Sequence, residues 1–133
     1  MNNLKFRAYF EQYERMIDNI GIINQNMILV DFTNSEELEP IFITDKIHVM
    51  QSTGLFDKYG KEIFEGDILT DEGSFENDYW DYATIEFDEI DYTYYLHWKN
   101  EEMCENITEC KKYVVAGNIY ENKELLENDF EKI

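Results

Sequence analysis

Basic residues are scarce in this chain. Eleven lysines and arginines face thirty aspartates and glutamates, a formal net charge of −19 over 133 residues. Small soluble domains more often carry a net charge of magnitude about 2–8. Such an excess repels nucleic-acid phosphates and anionic lipid, so direct nucleic-acid binding and membrane binding are not expected. Long apolar runs are lacking too. No stretch of about 18 apolar residues predicts a transmembrane helix. Met1 to Phe10 shows neither the n-region nor the apolar h-region of a signal peptide, so the expectation is a cytoplasmic protein.

Residues for chemistry are equally few. The two cysteines, Cys104 and Cys110, are spaced C-x5-C, which is not the C-x2-C of a zinc site, and only His48 and His97 could join them. In a cytoplasmic setting both are reduced thiols. No G-x-S-x-G, P-loop or G-x-G-x-x-G segment occurs. Each histidine lies in a strand-like run, with no adjacent nucleophile in the pattern. No catalytic residue, metal or cofactor is assigned, and the protein is expected not to be an enzyme; an unrecognised hydrolase is the weakest alternative.

Apolar residues are plentiful, at 44 %, with 16 % aromatic, enough for a packed core despite the charge. The length fits a single domain over 1–133. Leu4 to Phe10 alternates as a strand, and Met27 to Phe32 forms another. Asn24-Gln25-Asn26 predicts a hairpin turn. Ile41 to Ile43 and Ile47 to Met50 are short β-branched runs. Tyr82 to Phe87 and Tyr92 to Trp98 alternate around an acidic turn and predict an antiparallel hairpin. Tyr113 to Tyr120 is apolar on both faces and predicts a buried central strand. Asn122 is placed to cap a short helix over Lys123 to Asn128. The fold class is mainly β: a small antiparallel β-barrel or packed small sheets, with a short C-terminal helix.

Three segments carry a family resemblance. Lys5-Phe6-Arg7-Ala8-Tyr9 opens the chain. Met50-Gln51-x-Thr53-Gly54-Leu55-x-Asp57-Lys58-x-Gly60-Lys61-Glu62-Ile63-Phe64-Glu65-Gly66-Asp67-Ile68 forms a long central motif. Ala116-Gly117-Asn118-Ile119-Tyr120-Glu121-Asn122, followed by Glu124-Leu125-Leu126, closes it. In this order they resemble the YopX-like family of phage and prophage proteins. Tyr9 stands where tryptophan is usual, and Lys123 where proline is. The resemblance implies a small, mostly β protein carried by a phage or prophage in a bacterial host. It implies no activity, cofactor or catalytic residue. The central motif itself has a structural reading: Gly54, Gly60 and Gly66 mark turns, with Asp57 opening one and Asp67 following another. The Glu65-Gly66-Asp67 turn feeding a strand suggests an SH3-like portion by analogy. Asp57, Glu62, Glu65 and Asp67 lack the spacing of an EF-hand loop.

The candidate site is a surface. Between Ile63 and Trp98 there is no lysine or arginine. Glu72, Glu76, Asp78, Asp81, Glu86, Asp88, Glu89 and Asp91 are interleaved there with aromatics, among them Tyr79 and Trp80. Carboxylates around exposed rings can receive lysine and arginine from a partner by ion pairing and cation–π contact. The expected function is a non-enzymatic accessory protein that binds a partner with a basic surface. One alternative is a DNA mimic that blocks a host nucleic-acid-binding protein. Another is a self-assembling structural module, since homo-oligomers form through strand edges.

Overall fold

A computed structural model of the chain describes residues 5–71, 81–99 and 104–127. The fold is mainly β, with antiparallel sheets, a curled half-barrel and a short C-terminal helix. It divides into two compact units, Met1–Ser52 and Thr53–Ile133. No helix among the described residues is long and apolar enough to cross a membrane.

In the first unit, β1 (Phe6–Phe10) pairs antiparallel with β2 (Arg15–Asp18) on one side and with β6 (Ile47–Phe56) on the other. A second sheet runs β3 (Gly21–Asn24), β4 (Met27–Val30), β5 (Glu39–Phe42). The β3–β4 turn falls at the predicted asparagines, where the Asn26 amide donates to Asn24 Oδ1 at 2.7 Å. Ala8, Phe10, Ile17, Ile20, Ile28 and Val30 form the core of this unit. Alternation along β1 hides one thing: Arg7 and Tyr9, on its supposed outer face, are also buried.

β6 continues into the second unit, where β7 (Glu62–Phe64) neighbours it. The five-stranded sheet then runs β11 (Cys104–Asn106), β10 (Thr93–Trp98), β9 (Ala83–Asp88), β8 (Asp67–Thr70), β12 (Val114–Asn118). A 3₁₀ helix spans Ile107–Lys112, and α1 covers Lys123–Glu127. Ile63, Leu69, Ala83, Ile85, Leu96, Trp98 and Cys110 pack as one core. Ile68 and Tyr82 form a second, against Ala116, Ile119, Leu125 and Leu126.

Two expectations are corrected here. Tyr113 to Tyr120 is not a buried central strand, because β12 is the last strand of its sheet and mostly half-buried. Its two-sided apolarity has another cause. Tyr113 and Val115 face the first core, while Ala116 meets the second, which α1 helps to cover. A bulge between Val115 and Gly117 lets the strand serve both. Gly54 has the positive φ expected, +78°, but inside β6 rather than in a turn. The strand is ten residues long and lies between β1 and β7, and this glycine falls beyond the Ile47–Gln51 stretch that pairs with β1.

Candidate functional site

The central motif is occupied with holding the second unit together. Asp57 is 7 % exposed. Its Oδ1 accepts from the Tyr59 amide at 2.9 Å and the Lys61 amide at 2.8 Å. Its Oδ2 accepts from the Val115 amide at 2.9 Å, across 58 positions of sequence. One carboxylate therefore closes the Asp57–Gly60 turn and covers an amide on the open edge of β12. Burial pushes this carboxyl up, but the amides of Val115, Lys61 and Tyr59 outweigh it, and the pKa is held below the ordinary aspartate value. Gly60 completes the turn at φ +87°, its amide donating to Asp57 O at 3.0 Å. Gly66 sits in the next turn at φ +86°, where Asp67 Oδ2 accepts from the Phe64 amide at 2.8 Å.

The closing motif works the same way. Asn118 Oδ1 accepts from the amides of Tyr120 and Glu121, and its own amide donates to Asn122 Oδ1 at 3.0 Å. Asn122 thus spends its side-chain oxygen on Asn118 rather than on the first turn of α1. A Cβ at Gly117 would collide with that side chain, so the position requires glycine for space. Among the described residues no group of histidine, cysteine and carboxylate side chains could hold a metal ion.

Of the acidic-face residues, Glu72, Glu76, Asp78, Tyr79 and Trp80 lie outside the described residues. The others separate by role. Asp81 precedes β9, and its carbonyl accepts from Thr70 Oγ1 at 3.0 Å. Glu86 is engaged within the sheet: it accepts from Thr84 Oγ1 (2.8 Å) and Tyr95 OH (3.0 Å) and pairs with His97 Nδ1 (2.8 Å). Burial raises its pKa, and the bonds from Thr84, His97 and Tyr95 lower it further than burial lifts it. Asp88 accepts from the Ile90 amide at 2.8 Å and shapes the β9–β10 turn. Glu89 and Asp91 project from that turn, and their side chains have no hydrogen bond or ion pair among the described residues. Between and beside them stand Ile90, 87 % exposed, and Tyr92, 81 % exposed. Phe87 meets Tyr92 and Tyr94 edge-on, with centroids 6.4 and 5.1 Å apart. The Tyr94 phenol is pushed up to about 12, by burial first and by Glu65 second.

Sequence reasoning missed Glu105. It accepts from Trp98 Nε1 at 2.9 Å and Tyr113 OH at 3.0 Å, joining β10, β11 and the start of β12. β11 is three residues long, too short for any periodicity to announce it.

The comparisons agree with this architecture. The family model described as YopX protein matches residues 5–127. The crystal structure of protein EF1440 from Enterococcus faecalis is similar at 29 % identity and a TM-score of 0.67, covering 95 % of this chain and 99 % of that one. No curated protein matches the chain.

Proposed function

Since the chain belongs to the YopX protein family, we propose that it is a small phage-type accessory protein that binds another protein and performs no chemistry. It works in the cytoplasm of a bacterial host, and the partner presents a basic surface. The observation that carries this reading is the tip of the β9–β10 hairpin. There Ile90 and Tyr92 are almost fully exposed beside two carboxylates, Glu89 and Asp91, that no described residue engages. Exposed apolar groups rimmed by like charges suit a partner that supplies apolar contact and opposite charge together. The recognition motifs of the family give no competing site, because Asp57, Gly60, Gly66, Asp67 and Asn118 are engaged in turns and strand edges. Mimicry of duplex DNA draws less support: it needs an ordered double row of free acids, and Glu86 and Asp88 are turned to internal donors.

The test uses the immobilised full chain and host lysate. A genuine partner is released as salt rises, since the Debye length falls from about 30 Å at 0.01 M to about 10 Å at 0.1 M. It is lost when Asp78, Glu89 and Asp91 are reversed to lysine, and kept when Glu36, Glu37 and Glu39 are reversed. A retained protein indifferent to both salt and the first set of reversals refutes the acidic-face reading. Competition by duplex DNA would reinstate mimicry.

A further inference from the structure

A pocket of about 430 Å³ opens in the first unit, within the ~300–1,000 Å³ range of small-molecule sites. Its walls come from facing sides of two sheets. Phe10 and Ile47 are cross-strand partners in β1 and β6, so they project from the same face. In the other sheet Ile28 and Val30 point into the core, and register sets Ile41 and Glu39 opposite them, on that same face. Phe32, just beyond Val30, packs against the same core and meets Phe10 at a centroid distance of 5.3 Å. Phe10, Phe32, Glu39, Ile41 and Ile47 all line the pocket. Tyr13, 60 % exposed in the β1–β2 turn, lines it too and meets Phe32 edge-on at 6.3 Å. We infer that this pocket takes a free aromatic amino acid of about phenylalanine's size, a function separate from partner binding at the hairpin tip.

Two charges point to the ligand. Glu39 and Lys46 both line the pocket, both are exposed, and they are opposite in sign. Neither side chain has a hydrogen bond or ion pair among the described residues, with the other or with any third group. In a chain with thirty acids and eleven bases, a lysine left without a carboxylate stands out. An α-amino acid carries an ammonium and a carboxylate on one carbon, and so answers Glu39 and Lys46 together by charge-assisted hydrogen bonds. The rest of the lining is mainly apolar and aromatic. A ring entering there leaves water and gains edge-to-face contacts that an aliphatic chain of similar size lacks. A ligand with one charge leaves Glu39 or Lys46 unanswered, and a ligand without a ring leaves the aromatic wall unused.

The experiment titrates L-phenylalanine, L-leucine, 3-phenylpropionate and phenethylamine into the isotopically labelled full chain by NMR. Leucine keeps both charges and drops the ring; the last two keep the ring and drop the ammonium or the carboxylate. L-Phenylalanine binds most tightly, about two- to fivefold ahead of each single-charge probe, the range an exposed ion pair contributes. The largest shifts fall on Tyr13, Phe32, Ile41 and Ile47. Glu39→Gln removes the advantage over 3-phenylpropionate, and Lys46→Gln the advantage over phenethylamine; both positions are exposed, so the fold is kept. Leucine binding as tightly as L-phenylalanine overturns the assignment, as does equal affinity for L-phenylalanine and either single-charge probe. Shifts centred on other residues, or none at millimolar L-phenylalanine, overturn it as well.

Discussion

Removing the Asp57 carboxylate tests how the central motif holds the second unit. Three backbone amides lose their acceptor at once: Tyr59, Lys61 and Val115. A hydrogen bond to a charged group contributes about 1.5–3 kcal/mol, and an unsatisfied buried amide costs about 1–3 kcal/mol. Tyr59 and Lys61 lie in an exposed turn where water can take over, so their share is small. The Val115 amide is half-buried on a strand edge, and its loss counts nearly in full. Asp57→Ala should therefore destabilise by about 3–4 kcal/mol, a large part of a typical domain's 5–15 kcal/mol. Asp57→Asn keeps the volume and one oxygen but turns an NH₂ toward an amide; about 2 kcal/mol is expected. Urea unfolding at pH 7 reads both values from the shift in midpoint. The pH dependence supplies an independent check. The folded pKa of Asp57 is lowered, so its contribution is present above the unfolded value, about 3.9, and is lost as pH falls through the folded value. The gap between wild type and Asp57→Asn must narrow below about pH 4. Equal midpoints at pH 7, or a gap unchanged down to pH 2, would refute the reasoning.

Other outcomes follow from the same geometry. Gly117→Ala must displace the Asn122 side chain and should cost about 1–3 kcal/mol in thermal or urea unfolding. Gly60→Ala meets open space but keeps a positive φ, so about 1 kcal/mol is expected from strain alone, and Gly66→Ala should cost at least as much in its buried turn. Tyr94 and Tyr113 are both pushed up to about 12 by burial, with Glu65 and Glu105 adding to it respectively, so their neutral forms favour the fold below about pH 10 and that support is lost as pH rises toward 12. Ultraviolet titration should show late tyrosine ionisation coinciding with unfolding, and Tyr113→Phe should flatten part of that alkaline loss. Dialysis against chelator should leave the melting temperature unchanged; a large fall would bring Asp57, Glu62, Glu65 and Asp67 back as oxygen ligands.

Much of this protein was legible without coordinates, and the reasons are local. Alternation in Ala83 to Phe87 and Tyr94 to Trp98 has the period of a strand, and an acidic turn between such runs makes a hairpin whatever the rest does. Asp57-x-x-Gly60 and Glu65-Gly66-Asp67 read as turns because glycine tolerates positive φ and aspartate accepts from amides nearby. The net charge and the cation-free stretch are arithmetic. The position of β12 was not legible, because apolarity on both faces does not say whether the neighbours are strands of the same sheet or a helix and a second core. Nor was the border between the two units. It falls inside β6, so no linker composition marks it.

Cross-strand pairing and the β9–β10 turn decided which of the described acids in this run are engaged internally. Glu86, Asp88, Glu89 and Asp91 are alike in the sequence, each a carboxylate in the same acidic run. Register sets Glu86 opposite Tyr95 and beside His97, and the turn sets Asp88 under the Ile90 amide. Glu89 and Asp91 are left facing outward. By itself, then, the residue pattern determined the longer alternating strands, the Asp57–Gly60 and Glu65–Asp67 turns and the sign of the surface, since each depends on neighbours a few positions away. Tertiary structure decided where Asp57 reaches, why Gly117 must lack a side chain and which of the described carboxylates are engaged across strands. Asp57 reaches the Val115 amide across 58 positions, and Glu86 meets Tyr95 and His97 on the neighbouring strand, contacts that a local pattern does not specify.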